Sequence, residues 1–217
     1  MVFKLKIPVF LCTCTIALAL AGLQVRAAVE DEAPRTDAAA VVSGLHQKLV
    51  EVMHEPGPQN FEKRYEALAP VVTQVFDTPA IAKVILSRYW DTLSEDQRRE
   101  FENLLERFSI ATYASRFDGY SGEQFVETPA QPIQSGRVLV RASLKRPNEE
   151  DVSLEYVLQQ GSDGGWRIVA VMADGVNDLA LRRAEYATII REQGFDKLVQ
   201  KIENKIADLG HAKVHAT

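Results

Sequence analysis

The sequence predicts an α+β domain in which helices wrap around a twisted antiparallel sheet of about four strands. Three observations lead there. Apolar residues recur every three or four positions from Thr36 to Tyr113, every second position from Val138 to Met172, and again every three or four from Leu179 to Leu209.

The first helix runs from Thr36 to His54 on Val41, Val42, Leu45, Leu49, Val52 and Met53, and EPGPQ, Glu55 to Gln59, ends it. A second carries Phe61, Tyr65, Leu68, Val71, Val72, Val75 and Phe76, with Pro70 as a kink or boundary. Asp77-Thr78-Pro79 reads as an N-cap with a first-turn proline, opening a helix through Ile81, Val84, Ile85, Leu86, Tyr89 and Trp90. Ser94-Glu95-Asp96-Gln97 is a capping box for a fourth helix, on Phe101, Leu104, Leu105, Phe108, Ile110 and Tyr113. It ends near Asp118-Gly119 in RFDGYSGEQF, Arg116 to Phe125, where Phe117, Tyr120 and Phe125 are expected to pin the turn and Gly119→Val to disturb folding.

Alternation then marks strands at Arg137–Arg146, Val152–Gln159 and Trp166–Met172, with Gln124–Gln134 as a fourth and Gly161–Gly165 as a hairpin loop. Two more helices follow, one starting near Asp178 and capped by Gly194, the other carrying Leu198, Val199, Ile202, Ile206 and Leu209.

The amino terminus has the form of a secretory signal peptide over residues 1–27: Lys4 and Lys6, an apolar run, then Val25-Arg26-Ala27. Residues 28–36 read as a linker, 37–210 as the domain and 211–217 as a disordered tail. Cys12 and Cys14 lie in the leader, so the exported part is expected to stand without disulfides, on its hydrophobic core. The formal charge of −5 becomes −8 without Lys4, Lys6 and Arg26, a balance that disfavours nucleic acid and anionic lipid surfaces.

Chemistry-bearing motifs are sparse. The four histidines, His46, His54, His211 and His215, lack the spacing and the cysteines of a zinc site. Ser121 in GYSGE lacks the spacing of a nucleophile elbow. Asp77, Asp118 and Asp174 sit at element borders, where aspartate commonly caps; Asp77 or Asp174 as a buried base would make the chain a small enzyme on an NTF2-like scaffold. Arg98-Arg99 and Arg182-Arg183 read as solvated pairs, with one of them available to an acidic partner or a lipid phosphate. No catalytic residue, metal or cofactor is expected. The apolar faces suit either a filled core, as in a docking scaffold, or a sheet curled around a cavity.

The stretch YEALAPVVTQVFDTPAIAKVILSRYWDTLSEDQRREFENLLERFSIATYASRFDGYSGEQF, Tyr65 to Phe125, and GGWRIVAVMADGVNDLALRRAEYATIIREQGFDKLVQKI, Gly164 to Ile202, together resemble the MlaC or toluene-tolerance auxiliary family of periplasmic lipid carriers. RFDGYSGE, WRIVAVMADGVNDLALRRAEY and REQGFDKL look most like its hopanoid-associated HpnM branch. The resemblance implies a periplasmic, non-enzymatic carrier that holds a phospholipid or hopanoid in an apolar cavity. It would pass the lipid between inner- and outer-membrane transport complexes, with an ABC transporter among the partners and no membrane anchor of its own after leader cleavage. Periodicity on the faces turned to the sheet then selects Val72, Val75, Phe76, Ile85, Tyr89, Phe108, Tyr113, Val140, Leu154, Tyr156, Ile168 and Val171 as the expected lipid-binding lining.

Overall fold

A computed structural model describes residues 33–211. The expected leader, most of the linker and residues 212–217 of the tail lie outside the described residues. The element order is α1 (Ala33–Met53), α2 (Phe61–Val75), α3 (Thr78–Leu86), α4 (Glu95–Arg116), β1 (Gln124–Glu127), β2 (Gln131–Ile133), β3 (Arg137–Lys145), β4 (Val152–Gln160), β5 (Trp166–Ala173), β6 (Val176–Asn177), α5 (Asp178–Gln193) and α6 (Phe195–His211). Helix α1 starts inside the segment read as linker, with Pro34 in its first turn, where a missing N–H is not needed.

All strand pairings are antiparallel, in the order β1-β3-β4-β5-β6, and β2 shares with β1 the outer edge of β3. The expected fourth strand is thus two short ones, parted by Thr128–Ala130, and β6 is a further addition at the opposite edge. Pro132 stands in β2, at the edge where its lack of an N–H is tolerated. The two-residue turn Asp174-Gly175 has positive φ at both positions, 50° and 76°, as a tight hairpin requires.

Local signals explain most boundaries. Asp77 Oδ1 accepts from the Ala80 N–H at 3.0 Å, and Ser94 and Gln97 complete the capping box of α4. Pro70 lies inside α2 and does not end it. The helix expected to reach Trp90 changes at Ser87, φ 49°, into a 3-10 turn over Ser87–Thr92. In RFDGYSGEQF, Phe117 and Phe125 face each other inside, 6.2 Å apart, whereas Tyr120 packs on His54 at 4.2 Å and stays exposed. Gly119 has open space where a Cβ would stand and no positive φ, so the expectation placed on it belongs to Gly122, with φ 107° and Pro147 close by.

Two cores result. On the inner face of the sheet, Val138, Val140, Ala142 and Leu144 of β3, Leu154, Tyr156 and Leu158 of β4 and Ile168 of β5 meet α1, α2 and the last turns of α4. The second core joins α3, the first turns of α4, α5 and α6, through Ile85, Leu86, Phe101, Leu105, Tyr186, Leu198 and Ile202.

Two buried polar residues fasten the first core. Arg64 of α2, 1% exposed, donates from Nε to the Ala114 carbonyl at 2.8 Å and from Nη1 to those of Glu55 and Gly57 at 2.6 and 2.8 Å. It closes the α1–α2 loop over the end of α4. His46 of α1, 2% exposed, lies 2.6 Å by Nδ1 from Glu127 Oε1 and 2.9 Å by Nε2 from the Tyr156 hydroxyl, with Phe125 stacked on its ring at 4.0 Å. The network assigns a neutral ring: Nδ1–H donates to the carboxylate and Nε2 accepts from the tyrosine. Burial lowers the His46 pKa, against the opposing pull of Glu127.

Arg64→Leu is expected to cost about 3 kcal/mol or more in urea unfolding, because one buried and two part-buried carbonyls lose their donor. Arg99→Leu, which removes only an exposed i,i+3 and i,i+4 pair, should cost less than about 1 kcal/mol. For His46 the depressed folded pKa sets the sign: above about pH 6.5 both states are neutral, and below it the unfolded chain takes up a proton that the fold resists. Stability should therefore fall below about pH 6.5 by up to about 1.4 kcal/mol per pH unit from this group, a slope absent in His46→Gln.

Candidate ligand cavity

Along the sheet-side core runs a lane of aromatic side chains. Phe76, following α2, lies 5.9 Å from Tyr113; Tyr113 stacks on Phe117 at 5.9 Å; Phe117 meets Phe125, which covers His46. Helix α4 presents Tyr113 and Phe117 one turn apart on a single face, and β1 brings Phe125 against them. Each packs against the sheet-side core, yet none is fully buried.

Tyr113 shows what kind of space this is. Burial pushes its hydroxyl well above the usual tyrosine range, while part of the residue's surface stays accessible. Tyr156, raised by burial and next by Tyr113, adjoins the same space from β4, with its hydroxyl engaged by His46. The walls are apolar and aromatic, as in sites that take up apolar ligands.

The expected lining residues divide on this geometry. Val72, Val75, Val140, Leu154, Tyr156 and Ile168 are buried in the sheet-side core, and Phe76, Tyr113 and Val171 pack on it with part of their surface open. Ile85 is buried in the second core and Phe108 packs half-buried against it. Tyr89 belongs to neither core; it lies in the 3-10 turn with Arg88 over its ring at 5.0 Å. Phe117, Phe125 and His46 belong to the lane and were not among the expected lining.

A second opening lies between α1, α2 and the start of β5, a cleft of about 380 Å³ lined by Asp37, Ala40, Val41, Gly44, Val71, Gln74, Val75, Trp166 and Arg167. It is near the lower end of the range for ligand sites, about 300–1,000 Å³, and includes Val75 alone of the expected lining.

The carboxylates weighed as a catalytic base are all otherwise engaged. Asp77 caps α3 and also accepts from Gln159 Nε2 at 3.1 Å. Asp174 stands exposed in its turn and accepts from the Ser153 N–H at 2.8 Å. Asp118 neighbours the Arg64 guanidinium. Among the described residues no histidine, cysteine, aspartate and glutamate group is placed to hold a metal ion, and no helix is long and apolar enough to cross a membrane.

Comparison with known proteins gives one consistent result. The chain is 23% identical over 150 residues to toluene tolerance protein ttg2D of Pseudomonas putida, covering 69% of each chain. Its fold matches that of a phospholipid-binding protein from Ralstonia solanacearum, solved in complex with a phospholipid, at 17% identity and a TM-score of 0.68, over 81% of this chain and 98% of that one. The family model described as MlaC protein matches residues 44–204, most of the chain. The α+β fold with its antiparallel sheet and this match agree: the chain belongs to the MlaC family.

Proposed function

We propose that this chain is a periplasmic lipid carrier that holds the acyl or polycyclic part of one lipid between its two cores and delivers it between membrane-bound transport complexes. The observation that carries the reading is the lane of partly buried aromatic side chains around Phe76, Tyr113 and Phe117. Family membership and the phospholipid held by the Ralstonia solanacearum protein support it.

The energetics suit a shuttle. Each methylene withdrawn from water gains about 0.8 kcal/mol, about what a bilayer gives, so a dry apolar lane can match a membrane without holding the lipid irreversibly. The acidic balance of 30 carboxylates to 25 basic residues keeps the carrier off anionic leaflets and leaves docking to proteins. A phospholipid fits the reading better than a hopanoid, because the only support for the latter is the likeness of RFDGYSGE and the neighbouring blocks to the HpnM branch.

Protein purified from its own cells should carry one lipid per chain in native mass spectrometry, and delipidated protein should take lipid up from vesicles; neither occurring would refute the carrier reading. Val171→Trp, which enlarges a half-buried side chain paired with Tyr156, should abolish most of that occupancy while costing about 1–3 kcal/mol of stability.

A further inference from the structure

Both ring nitrogens of His46 are engaged, and their partners come from two different strands. Nδ1 lies 2.6 Å from Glu127 of β1 and Nε2 2.9 Å from the Tyr156 hydroxyl of β4, so one ring ties α1 to the sheet at two points. The same ring stacks on Phe125, centres 4.0 Å apart and planes 8° from parallel, and Phe125 is the end of the aromatic lane. A joint that had only to hold would be served by glutamine, which does not titrate. Histidine takes up a proton within the pH range that living compartments visit.

The two ties respond to that proton in opposite ways. Nε2 is the basic nitrogen, and on protonation it turns from acceptor to donor. The Tyr156 O–H then loses its acceptor; it has no other hydrogen-bond partner among the described residues, and Tyr156 is only 2% exposed. A buried donor without an acceptor is unfavourable, so the tie to β4 weakens. The tie to β1 becomes a charge-assisted bond between imidazolium and carboxylate, so it strengthens. The Glu127 side chain is 27% exposed, which gives the proton a way in. Glu127 and Tyr156 face the ring from the sheet. Tyr113 of α4 acts on Tyr156 and not on the ring, and no charged group of α1, α2, β3 or β5 bears on His46.

We propose that this joint is a proton-operated latch on the lipid lane: proton uptake by His46 releases α1 from β4 at Tyr156, frees the Phe125 end of the lane and speeds the exchange of bound lipid. Glu127 meanwhile keeps α1 on β1, so the fold stays intact while one tie opens. Because burial lowers the His46 pKa, the latch is closed above about pH 6.5 and opens below it. This inference rests on the carrier reading and adds to it a condition under which the cargo changes hands.

The test follows transfer of a fluorescent phosphatidylcholine from the loaded, full exported chain to phosphatidylcholine vesicles between about pH 8 and about pH 5, where that headgroup does not titrate and histidine does. The His46 ring signal is followed by NMR over the same range. Wild-type transfer should speed up about fivefold or more as the ring takes up its proton, with near-UV circular dichroism unchanged. Tyr156→Phe removes the hydroxyl that protonation strands, so its ring should still titrate while transfer stays level. His46→Gln should be level too, and Tyr156→Phe covers the case in which His46→Gln does not fold. Glu127→Gln withdraws the partner that favours the charged ring and should move the acceleration to lower pH.

A ring that titrates in the folded wild type while transfer stays level overturns the latch. So does a ring that stays neutral down to the pH at which the fold is lost, or an acceleration shared equally by Tyr156→Phe. An acceleration that sets in only with loss of the near-UV signal is acid unfolding and overturns it as well. The carrier reading stands in each of these cases, whereas failure of the wild type to load lipid at any pH removes both.

Discussion

Everything in this fold depends on one helix serving two cores. Helix α4 is 22 residues long, about 33 Å at 1.5 Å per residue. Its first turns give Phe101, Leu104 and Leu105 to the helical core, and its last turns give Ile110 and Ala114 to the sheet. A rigid rod shared in this way holds the cores in register but cannot fill the space where its allegiance changes. That change falls between Phe108 and Tyr113, both half-buried, on either side of the buried Ile110 and Ala111.

Both ends are fixed by polar chemistry. At the start, Ser94 and Gln97 satisfy each other's backbone N–H groups. At the finish, Arg64 takes the Ala114 carbonyl together with two carbonyls of the preceding loop. On the sheet side, His46 ties α1 to β1 and β4 through Glu127 and Tyr156. Directional bonds of this kind add stiffness to that of packing.

The sequence displayed the frame of this arrangement and concealed its fittings. The change of period from helix to strand and back, the capping box at Ser94 and the Asp77 cap were legible because each is a local pattern. The polar residues that matter were not, because a charged residue in a helix reads as solvated by default. A signal existed in position. His46 is four residues after Val42 and Arg64 four before Leu68, so each occupies the apolar stripe of its own helix. Which apolar residues line space and which fill it depends on where the two cores diverge, a property of the α4 crossing that periodicity does not encode. The expected lining accordingly includes Val140 and Ile168, wholly buried, beside Tyr113, which is partly exposed.

The short strands at the margins of the sheet have a consequence of another kind. One side of β3 is covered by four residues of β1 and three of β2, the latter with Pro132 in its middle, while β6 pairs only the last two residues of β5 and a single bridge from Phe76 meets Ile168. The β3 margin thus offers no long, flat row of free N–H and C=O groups among the described residues. Strand addition by a second copy is therefore hindered at the β3 margin, so copies can crowd together there and still part.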